Sequence, residues 1–400
     1  MGVCKVLFLN VVCKSGSTGK IVYDLYRHLL SNGHDAAVCY GRGKSIDEPG
    51  IFKISGKFEV SIHALLTRLT GLTSCFSPFA TGRLIRFIRE YEPDVVHLHN
   101  LHGYYVNMIP VIEHIKKKRI KTIWTLHDEH VYTGKCGYSY ECGKWKDRCG
   151  GCPEKKEYPA SLIFDCTHKM HEGKKRAFEG FDNLQIVTPS EWLAGRVRQS
   201  FLKNKEIVVV PNGIDTEVFK PSDAESLKAR HGITAQKIIA YVTADFENER
   251  KGGKYVLELA KRLPDVRFFI IGNNGAIPDL PSNVTAIGRT ENQQELASYY
   301  SMADINLITS KAETFSMVCA EGLCCGTPAV GFIGSATSYT APDDYGCFVQ
   351  YGDINKLEQA VTSIVSGVVK LKGSGECAAF GRIMYDSRDM AQAYYKLFKG

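Results

Sequence analysis

Short β-strand patterns alternate with helical patterns along most of this chain, and that alternation limits the fold more than any other feature. Amphipathic segments separate the strand-like runs. Parallel sheets with helical crossovers are the architecture that such alternation predicts. The strand-like runs lie at residues 5–10, 36–40, 94–98, 121–126, 238–243, 267–271, 304–308 and 328–332.

The runs fall into two series, separated by a passage with turn signals at Asn212-Gly213 and Pro221. A chain of 400 residues is also too long for one ordinary core. We therefore expect an N-terminal domain at 1–215, with a cysteine-rich insertion at 130–160, and a C-terminal domain at 216–384. The remaining residues, 385–400, are expected to form a helix that crosses back to the first domain.

Composition indicates a soluble protein, because 44% of residues are hydrophobic and 23% are charged. No run approaches the roughly 20 apolar residues of a membrane span, and the N-terminal apolar run leads into a glycine loop rather than a signal-peptide cleavage site. We expect a cytoplasmic location. The net charge of +7 is mild, and small basic clusters predict solvated helix ends rather than a nucleic-acid partner.

Basic and bulky apolar residues interleave from Leu65 to Arg89. This pattern suits peripheral contact with anionic lipid headgroups at the inner face of the membrane. An amphipathic helix packed on the core gives the same pattern, so both interpretations stay open.

The stretch "SGSTGK" follows the first strand and supplies Gly16, Ser17, Thr18 and Gly19. A nucleoside-triphosphatase loop needs wider glycine spacing and a hydroxyl residue after its lysine, whereas Ile21 follows Lys20 here. What remains is a glycine-rich turn that presents backbone N–H groups at a helix N-terminus, where anions bind. A tight turn without a ligand is the alternative.

Glu313 and Glu321 are eight positions apart, the first just before a predicted helix and the second within it. At 1.5 Å per residue they are separated by roughly 12 Å, about the reach of a nucleoside diphosphate sugar. Carboxylates at the two ends can accept hydrogen bonds from ribose and sugar hydroxyls, while the N–H groups of Thr314, Phe315, Ser316 and Met317 face the diphosphate. A capping glutamate and an ordinary helix glutamate are the alternative.

The segment "ETFSMVCAEGLCCGTPAV" resembles the E-x7-E motif of retaining glycosyltransferases of the GT-B fold, in particular their fourth family. Further segments resemble the same family in the same order along nearly the whole chain. They are "NVVCKSGSTGKI", "PDVVHLHNLHGYYVN", "TLHDEHVYTGKC", "VVVPNGIDTEVFKP", "ERKGGKYVLELA" and "YSMADINLITS".

The resemblance implies an α/β GT-B fold, in which two Rossmann-like domains face each other across a cleft. It implies transfer of a hexose from a UDP- or GDP-sugar to a polysaccharide or lipid-linked oligosaccharide, with no cofactor required for catalysis. His127, Glu313 and Lys251 would be catalytic. The donor would also contact Arg250, Glu321, the 16–19 turn and residues 314–317. Asn100 and His102 would face the acceptor.

Two departures from the family pattern keep other functions open. Asp245 stands where the family usually has an arginine, and Thr337 stands roughly where it has a glutamate. One alternative is a nucleotide-sugar 2-epimerase of the same fold. Another is a zinc-bearing protein that binds a sugar nucleotide at a degenerate site.

Four cysteines lie within seventeen residues and end in C-x-x-C. Four thiolates can hold a structural zinc ion, and a reducing cytoplasm disfavours disulfides. We therefore predict a zinc site that folds a loop beside His127, with two disulfides or free thiols as alternatives. The predicted ligands are Cys136, Cys142, Cys149 and Cys152.

Overall fold

The computed structural model describes residues 3–400, which form two compact units. The first contains the described residues up to Val210 together with Ala391–Gly400. The second spans Pro211–Met390. No helix in the described part of the chain is long and apolar enough to cross a membrane.

The first unit is built on seven strands that form a single parallel sheet in the order β3-β2-β1-β4-β5-β6-β7. Its elements are β1 (Lys5–Asn10), α1 (Gly16–Ser31), β2 (Asp35–Tyr40), β3 (Ile51–Lys53), α2 (Lys57–Thr70), α3 (Pro78–Tyr91), β4 (Val95–Leu98), α4 (Met108–Lys117), β5 (Lys121–Thr125), α5 (Thr167–Phe178), β6 (Leu184–Thr188), α6 (Glu191–Val197) and β7 (Glu206–Val209).

The central strands of this sheet are apolar on both faces because helices cover both sides. In β1, "KVLFLN", every residue after Lys5 is buried. Helix α1 packs Ile21, Leu25 and Leu29 inward at helical spacing and ends before Gly33, whose φ of 75° suits a glycine beyond a helix end.

The second unit has six strands in one parallel sheet, ordered β10-β9-β8-β11-β12-β13. Its elements are α7 (Glu225–Arg230), β8 (Ile238–Val242), α8 (Gly253–Arg262), β9 (Arg267–Ile271), β10 (Val284–Ile287), α9 (Gln293–Met302), β11 (Ile305–Ile308), α10 (Met317–Cys324), β12 (Ala329–Phe332), α11 (Thr337–Thr340), β13 (Gly346–Val349), α12 (Ile354–Val365) and α13 (Ser374–Tyr385). A last helix, α14 (Ser387–Lys399), begins in this unit and ends in the first.

Each sheet has one point, here called its switch point, where the strand order reverses. The two switch-point strands are β1 and β4 in the first unit and β8 and β11 in the second. In open α/β sheets, ligands bind beyond the carboxyl ends of the strands at such a point. The loops that follow these four strands are therefore the first places to look for a functional site.

The 65–89 stretch divides between two helices with different environments. Helix α3 buries Ala80, Leu84 and Ile88, as an amphipathic helix packed on the core does. Helix α2 instead buries only His63 and Thr67 and leaves large apolar side chains exposed.

Candidate functional site

A charged cluster, made of Glu313, Lys251 and Arg250, lies beyond the carboxyl ends of β8 and β11. Glu313 Oε1 accepts a hydrogen bond from Lys251 Nζ at 2.7 Å and lies 3.3 Å from Arg250 Nη1. Arg250 Nη1 also donates to the Ala312 carbonyl oxygen at 2.9 Å. The three charged residues that the sequence singled out therefore meet at one carboxylate oxygen.

The backbone around Lys251 is fixed to both switch-point strands. Its carbonyl oxygen accepts hydrogen bonds from the Tyr241 hydroxyl and the Thr309 hydroxyl, each at 2.8 Å. Gly252 follows with φ of 73°, and a Cβ there would lie 2.3 Å from the Thr309 carbonyl oxygen. Only glycine fits this turn, which holds the two cations in place.

Glu313 is ionised at neutral pH. Burial acts to raise the pKa of its carboxyl, but Lys251 and then Arg250 outweigh burial and hold that pKa below its ordinary value. Two cations facing one carboxylate leave one positive charge in excess. The charged cluster can therefore bind an anion such as a diphosphate.

Glu321 lies within α10, and Glu313 precedes that helix by four positions, as predicted. The Tyr300 hydroxyl donates to Glu321 Oε2 at 2.9 Å and orients the carboxylate. Ser316 caps the helix, because its Oγ accepts from the Cys319 N–H at 3.3 Å. The positive end of the α10 dipole thus lies at Thr314–Met317, between the two glutamates.

Asn10 and Asn100 connect the switch-point strands of the first unit. The Asn100 N–H donates to Asn10 Oδ1 at 3.2 Å, and Asn10 Nδ2 donates to Thr18 Oγ1 at 3.3 Å. The predicted glycine turn is the first turn of α1, with Gly16 at φ of 65°. A Cβ on Gly19 would lie 3.1 Å from Val12, so the close approach of this turn to the chain after β1 favours glycine.

A histidine cluster, made of His97, His99 and His127, lies beside these asparagines. His99 Nδ1 and His127 Nε2 are 2.9 Å apart, and their rings stack with centroids 5.2 Å apart. His97 Nε2 lies 2.8 Å from Thr125 Oγ1. Burial lowers the pKa of His127 to about 4 and those of His97 and His99 well below 6.5, so all three rings are neutral at pH 7.

A second polar pair lies next to His127. His102 Nε2 is 2.6 Å from Asp128 Oδ2, and the His130 N–H donates to Asp128 Oδ1 at 2.9 Å. Burial acts to raise the pKa of Asp128, but His102 outweighs it and leaves the pKa below its ordinary value. Sequence reasoning identified His102 and missed Asp128, although its place just beyond the end of β5 could have indicated it.

The four cysteines of the insertion line one small cavity of about 20 Å³. Cys149 Sγ accepts the Gly134 N–H at 3.2 Å, and hydrogen bonding to Cys136 lowers the pKa of Cys152. None of the four cysteines forms a disulfide. Within residues 3–400, no group of three or more His, Cys, Asp or Glu side chains is arranged to hold a metal ion, so the zinc prediction is not supported.

Buried charges hold this insertion in place. Glu129 accepts from the Tyr132 hydroxyl at 2.8 Å and pairs with Arg196 of α6 at 2.5 Å. Lys135 Nζ donates to the carbonyl oxygens of Glu154 and Glu157, both at 2.7 Å. None of these residues was predicted from the sequence, because most of their contacts join residues that are 19 or more positions apart.

Two Rossmann-like parallel α/β units, with polar side chains beyond the switch-point strands of each, are the architecture of the GT-B fold. Sucrose-phosphate synthase from Thermosynechococcus elongatus matches with a TM-score of 0.70 and 15% identity, covering 99% of this chain and 98% of that one. Anabaena HepE in complex with UDP matches with a TM-score of 0.66 and 16% identity, covering 99% of both chains. These similarities confirm the predicted fold class.

The family model for Glycosyltransferase Family 4 matches residues 18–218, and that for Glycosyl transferases group 1 matches residues 236–366. The chain belongs to glycosyltransferase family 4. It is 24% identical, over 98% of its length, to WcaC of Escherichia coli (strain K12), provisionally named a colanic acid biosynthesis glycosyl transferase, of which the alignment covers 99%. The predicted family is thereby confirmed, and the protein is a transferase.

Proposed function

We propose that this protein is a retaining glycosyltransferase that moves a hexose from a UDP- or GDP-sugar to a polysaccharide or lipid-linked oligosaccharide. The observation that carries the proposal is the charged cluster at the switch point of the second sheet. Family membership supports the transfer reaction. Structures of HepE with UDP and with UDP-glucose support the donor class.

In this proposal the charged cluster binds the donor diphosphate. Cleavage of the sugar–phosphate bond places negative charge on the departing nucleoside diphosphate. Lys251 and Arg250 are held in place before the reaction and stabilise that charge without reorganising. The backbone N–H groups at 314–317 contribute the positive end of the α10 dipole.

The two glutamates would hold the two ends of the donor. An ionised carboxylate accepts hydrogen bonds and donates none, which suits a partner rich in hydroxyl groups. We assign the hydroxyls of the transferred hexose to Glu313 and those of the ribose to Glu321. Tyr300 would fix the Glu321 carboxylate in its ribose-binding orientation.

Retention of configuration is proposed to follow front-face attack. The acceptor oxygen bonds to the anomeric carbon on the side from which the nucleoside diphosphate departs, and the departing phosphate takes the acceptor proton. No protein side chain then has to act as a base. Neutral His127 would contact the transferred hexose near its anomeric carbon, and neither step uses a metal cofactor.

The acceptor would contact the first unit. Asn100 and His102 are proposed to face it, and the 16–19 turn would lie near both the acceptor and the diphosphate. The similarity to WcaC supports an acceptor from polysaccharide biosynthesis. Such glycans are often assembled on lipids, so we propose a cytoplasmic protein in peripheral contact with the inner face of the membrane.

The proposal is tested by measuring thermal stabilisation with a panel of UDP- and GDP-sugars and then identifying the products. A donor at about 100 times its Kd should stabilise the protein by about 2.7 kcal/mol. With a glycan acceptor, the stabilising donor should yield a product that keeps the anomeric configuration of the donor, as read by NMR. Conversion of the sugar nucleotide with no acceptor present would instead indicate an epimerase, and binding without turnover a degenerate site.

A further inference from the structure

Helix α2 departs from the usual amphipathic pattern, because its fully buried side chains are polar and most of its large apolar side chains are exposed. Its two buried side chains, His63 and Thr67, are polar. His63 Nδ1 lies 2.8 Å from Ser77 Oγ, and Thr67 Oγ1 donates to the Leu72 carbonyl oxygen at 3.1 Å. The inward face of α2 therefore rests on these hydrogen bonds and on Val60, which is half-buried against the core, while the exposed apolar residues of α2 lie away from the core.

Those apolar residues form a continuous exposed line, here called the apolar stripe. Its members are Phe58, Ile62, Leu65 and Leu69, which are 80%, 41%, 53% and 39% exposed. At 100° per residue all four fall within about 60° of one another, opposite the buried face. Isolated exposed apolar residues are ordinary, but an aligned group marks an interaction surface.

A second apolar segment continues the stripe at the C-terminal end of α2. Leu162, Ile163 and Phe164 are consecutive, and each is more than half exposed. The Leu162 N–H donates to the Arg68 carbonyl oxygen at 2.8 Å. The 162–164 segment and the apolar stripe are thus fixed side by side within the first unit.

The charges beside the stripe indicate what covers it. Lys57 and Arg68, both exposed, project about 20° apart on one flank of α2, between the apolar stripe and the buried face. On the other flank Glu59 is neutralised by Arg83, at 2.9 Å. An apolar face bordered by cations is the pattern of a helix that lies in the plane of a membrane interface.

We propose that the apolar stripe and the 162–164 segment insert into the surface of a bilayer that contains anionic phospholipid. Lys57 and Arg68 then pair with the lipid phosphates at the headgroup level. A second copy of the chain is less suited to cover the apolar stripe. Antiparallel pairing of two stripes would place Lys57 of one copy beside Arg68 of the other, and these like charges repel. The inference specifies the membrane contact of the proposed function but depends on none of its chemistry.

The test is flotation of the full chain, without donor or acceptor, with vesicles of phosphatidylethanolamine and phosphatidylglycerol. The double variant Ile62→Ser/Leu65→Ser should lose about tenfold or more of its partitioning into these vesicles, because it loses two inserted side chains. The matched control is Ile383→Ser/Met384→Ser, which removes two exposed apolar side chains from α13. It should partition within about twofold of the unaltered protein.

Further variants separate the contribution of the 162–164 segment to membrane binding from that of the two cations. Phe164→Ser should also weaken flotation, and Lys57→Gln/Arg68→Gln should weaken it on anionic vesicles but not on phosphatidylcholine. Stripe variants should keep their thermal midpoint and their transfer to a water-soluble acceptor, so a failure of the membrane proposal is distinguishable from a failure of the proposed function. Equal flotation of stripe variant and unaltered protein overturns the inference. So does a dimer in sedimentation that the stripe variant converts to a monomer.

Discussion

The charged cluster of the second unit and the histidine cluster of the first occupy equivalent topological positions but have opposite electrostatic character. Lys251 and Arg250 pair with the Glu313 carboxylate, so two cationic side chains face one anionic side chain. His97, His99 and His127 are buried and neutral. The switch point of the second sheet is therefore suited to stabilise developing charge, and that of the first sheet is suited to position uncharged hydroxyl groups.

The largest expected effect comes from the charged cluster. Lys251→Ala should lower kcat by about 10²–10³, because it removes a preorganised cation from the departing diphosphate. Glu313→Gln should lower kcat by a similar factor. Steady-state kinetics with the identified donor would measure both. The control is Lys228→Ala, which breaks an exposed ion pair with Glu225 at 2.9 Å. If the Lys251→Ala enzyme is as active as this control, the charged cluster has no role in the mechanism.

Acid should destabilise the first unit more than the second, because burial lowers the pKa of eight histidines in the first unit but only of His231 in the second. Burial places the pKa of His127 at about 4, below the 6.5 of an unfolded chain, so the unfolded state binds more protons as pH falls. Stability is then full above pH 6.5 and is lost between 6.5 and 4, by about tenfold in the unfolding constant per pH unit for each such group.

Hydrogen exchange at pH 7 and 5 can check this expectation. Protection of β4 and β5 should fall, while that of β8 and β11 should hold, because the lowered carboxyl pKa of Glu313 costs stability only at more acidic pH. Equal loss in both units would contradict the assignment of the acid sensitivity to buried histidines.

The Asp128–His102 pair offers a smaller effect on acceptor binding. Asp128→Asn should raise the KM for the acceptor about tenfold, since it removes a charge-assisted hydrogen bond that orients His102. The KM for the donor should stay unchanged. A rise confined to the donor KM would show that this pair belongs with the donor site instead.

Metal removal should produce the smallest effect. In the proposed mechanism Lys251 and Arg250 supply the positive charge that a metal would otherwise bring, so dialysis against EDTA should leave kcat within about twofold. Elemental analysis of the same samples would show whether the four cysteines retain zinc. A loss of activity that added divalent cation restores would mean that Lys251 and Arg250 alone do not stabilise the departing diphosphate.

Sequence patterns predicted most of the central, strongly apolar strands but not β6, an interior strand between β5 and β7. The eight predicted strands agree with β1, β2, β4, β5, β8, β9, β11 and β12 to within a residue at each end. The strands that went unnamed, β3, β6, β7, β10 and β13, include all four sheet edges. Edge strands are short and less apolar, so a periodicity argument has little to detect there.

Some residues of the candidate site were predicted from the sequence and others were not. Glu313, Lys251 and Arg250 were identified because they belong to contiguous motifs. Asp128 and Glu129 were missed because their partners, His102 and Arg196, lie 26 and 67 positions away. The orientation of α2 was also beyond prediction, since its apolar spacing is the same whether the stripe faces the core or the solvent.

By itself, the sequence determined eight of the thirteen described strands and the places of the two glutamates before and within their helix, because these depend on local spacing and residue type. Lys251 and Arg250 were implied by the resemblance of their segment to the family. Only the tertiary structure decided which of these groups meet, which histidines are neutral and which face of α2 is exposed. Those properties depend on burial and on partners distant in the chain, and burial is what shifts a pKa or leaves an apolar side chain in water.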